Sequence, residues 1–422
     1  MYPLFAIFTI VGVLFCGLTI DIGIMETHHL QMQSAADGAA LGAQVSHDQE
    51  DTSYLSNGIL DAGLNGFTNG SYGVTVTVTN PTSGNYSGYY DAVQATISQT
   101  SPTNFMGLTN RGQTTVSATA VALMTPCVYV TGAHSPSLTT YSLSLTTGSS
   151  LGYTNGSTMG CPVYVNSAVN LDVTSKLWTN ATNVVGASSS SALSGTVYHQ
   201  PRFGAVSQTD PLVYTAACAT LSASCVNGTA SGISPPSFSS CTYTSHTWTS
   251  GSTFTLSPGT YCSSFNFTSS TVTLSPGLYI ITGGGTWTNS KVSGSGVTLY
   301  FTQKGDGNYG QFKVTNTQMT LSAPTVSSGG SIPTILLMNN PSWVKTAAQD
   351  FQFLSSSTNS GDGILYTVGT GIEFSSSPFT ATHYLCFDVD NLLLVSTAIK
   401  PLSNFTTVAT GDPFTPMGGI VQ

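Results

Sequence analysis

FTLSPGTYC at 254–262 and VTLSPGLYI at 272–280 are near copies of one phrase, set 18 residues apart. Each is a run of β-formers closed by Ser-Pro-Gly, a strand followed by a turn. Around them, the tripeptides ending at Leu256, Leu274, Leu299 and Leu321 read FTL, VTL, VTL and MTL, at separations of 18, 25 and 22 residues. Short strands returning at such intervals suit successive coils of a β-solenoid, each burying inward side chains against the next. A β-sandwich also gives many short strands and stays open as the alternative. The echoes recur in one local context, which favours a β-rich, solenoid-like surface domain over 126–422.

Upstream, the period changes. Over 47–125 the sequence reads as a small α+β unit. EDTSYLSNGILDAGLNGF (50–67) suits a short helix ending near Gly66. YGVTVTVTN (72–80), YDAVQATISQ (90–99) and TTVSATAVALM (114–124) alternate with period two, as half-buried strands do. Residues 1–46 form a third region, a long helix with Pro3 in its first turn, where the missing N–H costs nothing. Its first part, MYPLFAIFTIVGVLFCGLTI (1–20), carries no charged side chain. About 20 apolar residues are long enough to cross a bilayer core, so Phe5, Phe8, Val11, Leu14 and Phe15 are candidate anchor or assembly residues. No basic flank orients the segment, since the first Lys or Arg is Arg111. Either a basic leader precedes Met1 and is removed, or the helix packs against copies of itself. In the second half, Ala36, Ala39, Ala40 and Ala43 share a face by helical spacing. Small side chains there admit another backbone closely, either a neighbouring helix or the chain's own domain.

The chain has 422 residues, of which only 6% are Asp, Glu, Lys or Arg, and a net charge of −9. The acidic balance excludes a phosphate-backbone partner, so nucleic acid is not expected. An uncharged polar surface suits a protein outside the cell or packed beside many copies of itself. Of eight cysteines, Cys16 lies in the apolar helix and the rest begin at Cys127, without CxxC spacing. Disulfides fit better than zinc in an exported protein: Cys127 with Cys161, Cys241 with Cys262, and Cys218 with Cys225 closing a short loop, leaving Cys386 over. Buried thiols are the alternative. The N-x-[ST] sequons at Asn69, Asn85, Asn155, Asn180, Asn227, Asn266 and Asn404 are acceptor sites if the export route glycosylates.

Catalytic patterns are scarce. No nucleophile elbow, P-loop, zincin helix or EF-hand loop occurs, and no cofactor or metal is expected. Asp388 and Asp390 share a strand face by the i,i+2 rule, and paired carboxylates on a β-helix could cleave polysaccharide. Few other acids or bases accompany them, so the reading is not an enzyme. Tyr86, Tyr89 and Tyr90 cluster in GNYSGYYD (84–91), where aromatics serve either a sugar or partner contact or core packing. His28 and His29 are adjacent on the helix and point apart, so they do not chelate together.

LTIDIGIMETHHLQMQSAADGAALGAQ (18–44) resembles the amino-terminal signature of TadE/TadG-like proteins of tight-adherence, Flp-type pilus systems. In that family an apolar helix passes through an Asp-x-Gly step, here Asp21–Gly23, into a Leu-Gln-x-Ala-Ala-Asp segment, here from Leu30 with Met32–Gln33 and Gly38 as variations. CPVYVNS (161–167) and GSGVTLYF (294–301) are similar to the β-rich extensions of TadG-like proteins. The resemblance implies an exported protein, its helix in a membrane or pilus-like core and its bulk outside. Where mature type IV pilins usually carry Glu, residue 5 is Phe, and Asp21 is the first acid. A buried carboxylate is costly, so Asp21 must reach water, accept backbone N–H groups, or meet a neighbour's amine. The combined expectation is a self-assembling subunit of an extracellular filament. Its partners would be copies of itself, the inner membrane and export machinery, and surfaces or glycans. A membrane-anchored adhesin assisting such a pilus is the second reading, and a carbohydrate-active β-helix the third.

Overall fold

The computed structural model describes residues 2–48, 52–84, 86–87, 89, 92–103, 105, 112–123, 126–132, 141–152, 161–179, 181–188, 191–205, 212, 236–237, 240–249, 251–303, 310–326, 332–340, 351–404, 407–408 and 419–420. It falls into two compact units, one of Met1–Met124 with Gly418–Gln422, the other of Thr125–Met417. The chain is mainly β, with one long helix at its amino end.

That helix, α1 (Tyr2–Asp48), runs 47 residues, about 70 Å at 1.5 Å per residue. Nothing within it breaks a helix after Pro3. Among the described residues no helix is long and apolar enough to cross a membrane. The side chains of Phe5, Phe8, Val11 and Leu14, on which the expectation of a span rested, lie outside the described residues.

The first unit packs the second half of α1, with α2 (Tyr54–Leu64), on an antiparallel sheet of β1 (Val74–Thr79), β2 (Ala92–Pro102) and β3 (Gln113–Leu123). Val74, Val76 and Val78 point inward and the threonines between them outward, the alternation read from the sequence. Residues 419–420, which the sequence pattern assigned to the β-rich region, return to this sheet and pair antiparallel with Ala122 and Leu123. The alanine face finds its partner here. Ala36, Ala39, Ala40 and Ala43 are fully buried in one core with Ala62, Val78 and Ile97. At Gly58 of α2 an added Cβ would lie 2.8 Å from the Ala39 carbonyl oxygen and 2.9 Å from the Ala43 Cβ. Of the two partners left open for this face, a neighbouring helix or the chain's own domain, it meets the second here, because only small residues let α1 and α2 approach so closely.

The second unit is built from short strands paired in parallel. Its described strands make two sheets, of 18 and 10 strands. Their register defines three strips. In one, Leu256 pairs with Leu274, Leu274 with Gly294, and Gly294 with Leu321. Three of the four echoed leucines are thus in line. Leu299 belongs to a second strip, pairing with Tyr279 and Leu337. The third contains 285–288, 312–315 and 351–354. Antiparallel pairing in this unit is confined, among the described strands, to Tyr384–Leu385 against Leu402–Ser403, so the alternative of an antiparallel sandwich is set aside.

Stack order differs from chain order. Residues 384–395 pair on one side with 363–375 and on the other with Val128–Val130 and Leu143–Thr146. The chain therefore enters the stack in its middle, builds outward through 163–165 and 182–184, and resumes at a separate strand series beginning at 243. The first and last described strands of the unit, Val128–Val130 and Leu402–Ser403, consequently both pair with 384–395. Inside, an aromatic file passes from Phe267 to Trp287 (5.1 Å) and Phe312 (4.9 Å), with Phe353 stacked on Phe374 (4.7 Å). At one corner, buried hydroxyls bridge the levels. Ser270 N–H donates to Ser290 Oγ (3.2 Å), Ser290 N–H to Thr317 Oγ1 (3.3 Å), and Thr317 N–H to Ser357 Oγ (3.2 Å). These corner amides have no strand partner, and an unpaired buried N–H is costly. Disulfides Cys127–Cys161 and Cys241–Cys262, with Cα atoms 5.6 and 5.7 Å apart, tie neighbouring levels.

The close approach of α1 and α2 is testable. Ala39→Leu should overpack the seam and destabilise the first unit by about 1–3 kcal/mol, while Leu41→Ala, on the exposed side, should stay within about 0.5 kcal/mol. Chemical denaturation of the two variants measures both.

Candidate functional site

The first half of α1 has two faces of opposite character. On one, Gly17 and Asp21, four residues apart, turn inward. Phe105, in the connection between β2 and β3, covers both. A Cβ on Gly17 would fall 2.4 Å from the Phe105 ring, and the Phe105 backbone N–H donates to Asp21 Oδ2 at 2.8 Å. Of the partners open to Asp21 from the sequence, the structure supplies a backbone N–H. Asp21 is 98% buried within the first unit.

Elsewhere around α1, Phe15 (67% exposed), Leu18, Ile20, Ile22, Ile24 and Leu30 are uncovered. Phe15, Leu18 and Ile22 follow i, i+3, i+7 spacing and make one stripe. The polar atoms between them turn inward on the helix. Thr19 Oγ1 donates to the Phe15 and Cys16 carbonyls at 3.1 and 2.8 Å, and Thr27 Oγ1 to Gly23 at 2.9 Å. Hydroxyls satisfied by their own helix suit an apolar surrounding. A contiguous apolar stripe of this kind marks a contact surface.

Other candidates resolve as follows. Asp388 and Asp390 are wholly buried; Asp390 accepts from Thr131 Oγ1 (3.3 Å) and Asn391 Nδ2 (2.7 Å), so neither carboxylate presents itself to a substrate. Among the described residues no group of His, Cys, Asp and Glu could hold a metal ion. Tyr89 is buried and meets Tyr86 edge-on at 5.5 Å, whereas Tyr90 lies outside the described residues. Of the sequons, Asn69 and Asn404 are exposed and Asn266 half-buried; Asn85, Asn155, Asn180 and Asn227 lie outside the described residues, as do Cys218 and Cys225. The Cys386 thiol is buried and donates to the Leu402 carbonyl at 3.2 Å.

Phe105 was not singled out from the sequence, and its separation of 84 positions from Asp21 leaves no local signal. Asp362, in the turn SGDG (360–363), accepts the backbone N–H groups of Thr382 and His383 (both 2.8 Å) and the His383 ring at Nδ1 (2.7 Å). Burial alone would raise its carboxyl, but the His383 N–H, the ring and the Thr382 N–H outweigh it and hold the group below its usual range.

With that geometry in place, residues 1–45 match the family described as putative Flp pilus-assembly TadE/G-like. The match covers the helix that carries the apolar stripe and connects this segment with Flp pilus assembly and the cell envelope. No curated protein and no solved structure matches the chain.

Two outcomes follow. Phe105→Ala uncovers Gly17 and Asp21, so amide exchange over 17–25 should accelerate while the second unit is unchanged, as hydrogen-exchange mass spectrometry would show. Because the folded value of Asp362 lies below its unfolded value of 3.8, its contribution is complete above pH 3.8 and fades as pH falls through the lowered folded value. Asp362→Asn should therefore cost roughly 1–2 kcal/mol at neutral pH, since the site is partly solvated, and the gap to the parent should close in acid.

Proposed function

We propose that this protein is a structural, non-enzymatic subunit of an extracellular pilus-like filament. The amino-terminal half of α1 joins copies of the chain, after passage through a membrane-inserted state, and the β-rich unit, a β-solenoid, forms the outer layer. The observation that carries this reading is the uncovered stripe of Phe15, Leu18 and Ile22 on a helix whose sequence matches a pilus-assembly family. Burying such residues contributes about 25 cal/mol per Å² of apolar surface, repeated at every subunit. The disulfides support an oxidising location. Exposed Asn69 and Asn404 remain open to glycosylation in the same location.

A second reading uses the same stripe to hold a single copy in the membrane, as a surface adhesin assisting a pilus. The double variant Phe15→Glu, Ile22→Glu separates the readings from a folding defect. In the filament reading, the variant keeps both disulfides but disappears from polymer sheared off producing cells without detergent. If parent protein is released only by detergent, the anchored reading replaces it.

A further inference from the structure

The first unit contains a cleft of about 660 Å³ between α1 and the loop joining α2 to β1. Its walls include His28 and Gln31 of α1, Asn65, Phe67 and Tyr72 of the loop, and Gln99 of β2. Among the described residues no Asp, Glu, Lys or Arg lines it. The volume is that of a small-molecule site.

Tyr72 is the informative residue. Its φ of 51° is left-handed, a conformation that glycine adopts freely and a bulky side chain rarely does. Gly66, Gly70 and Gly73 take the other left-handed positions of the same loop. Yet the tyrosine is 93% exposed, so its ring gains no burial in return. Backbone strain kept without a packing reward is characteristic of a binding position.

The backbone that carries the ring is also held in place. Gln99 Nε2 donates to the Tyr72 carbonyl at 2.9 Å, which turns its Oε1 toward His28 Nε2 at 2.6 Å. That oxygen can only accept, so His28 carries a proton on Nε2. The His28 ring in turn meets Phe67 edge-on at 5.8 Å. Asn69 Oδ1 accepts from the Val76 N–H at 3.0 Å, and Gly70 N–H donates to the Val74 carbonyl at 2.9 Å, closing the loop on β1. The loop backbone that presents Tyr72 and the Gln99 amide are thus preorganised beside one cleft.

We propose that this cleft is a binding site for a neutral oligosaccharide, with Tyr72 as the stacking platform. A pyranose ring offers C–H groups to the negative face of an aromatic ring and a rim of hydroxyls to amides. A charged ligand would find no counter-charge here. A purely apolar one would leave the Gln31 amide desolvated without a partner.

The test uses the full chain with cellotetraose, chitotetraose and maltotetraose, read by saturation-transfer NMR and calorimetry. At least one should bind, and Tyr72→Ala should weaken it tenfold or more. Tyr72→Gly should weaken it equally while raising the thermal midpoint, because glycine fits the left-handed backbone; this excludes misfolding as the cause. Tyr198→Ala, an exposed tyrosine of the other unit, should leave binding unchanged. Failure of all three sugars to bind, binding of a neutral peptide in their place, or binding undiminished in Tyr72→Gly overturns the proposal.

Discussion

The approach of α1 to α2 at Gly58, where even a methyl group would meet the Ala39 carbonyl, decides how the long helix is used. Four alanines and a glycine bring two helix backbones together, and that seam buries the second half of α1 in its own unit. Among the described residues nothing comparable covers the stripe at Phe15, Leu18 and Ile22. Gly17 and Asp21 are gripped by Phe105, but Phe15, Leu18 and Ile22 are left uncovered. The helix is thereby divided between a segment committed to folding and a segment left for association. The proposed filament rests on that division.

Parallel stacking accounts for the composition of the rest. In a parallel register each side chain has a neighbour in the next strand about 4.8 Å away, so a charged residue repeated from level to level would face its own sign. The few charges in the stack avoid this. Lys291 lies between Thr271 and Gln318, Lys176 between Ser150 and Thr196, and Lys313 between Thr286 and Gln352. Ser, Thr and Asn can repeat without repulsion, and at the corner their hydroxyls accept the amides that strands leave over. A charge content of 6% is what such an architecture needs.

Local patterns were legible in the sequence, and their partners were not. Alternation identified the buried valines of β1, the echo LSPG marked neighbouring levels, and the two cysteine pairs now joined were both anticipated. The alanine face was visible, but period alone does not distinguish a foreign backbone from the chain's own. The entry of the chain at mid-stack, which sets Phe387 beside Val128, depends on a contact across some 259 positions of the kind Thr131 makes with Asp390. The return of 419–420 to β3 is equally remote, and Tyr72 gave no signal because its interest lies in a backbone angle.

The most direct measurement is electron cryomicroscopy of material sheared, without detergent, from cells producing the intact chain. The account predicts ordered filaments in which Phe15, Leu18 and Ile22 are buried between helices of neighbouring copies, while Ala36 to Ala43 keep their contacts within one copy. Filaments joined through the β-rich unit with the α1 stripe still in solvent would contradict it, as would the absence of any polymer containing this chain.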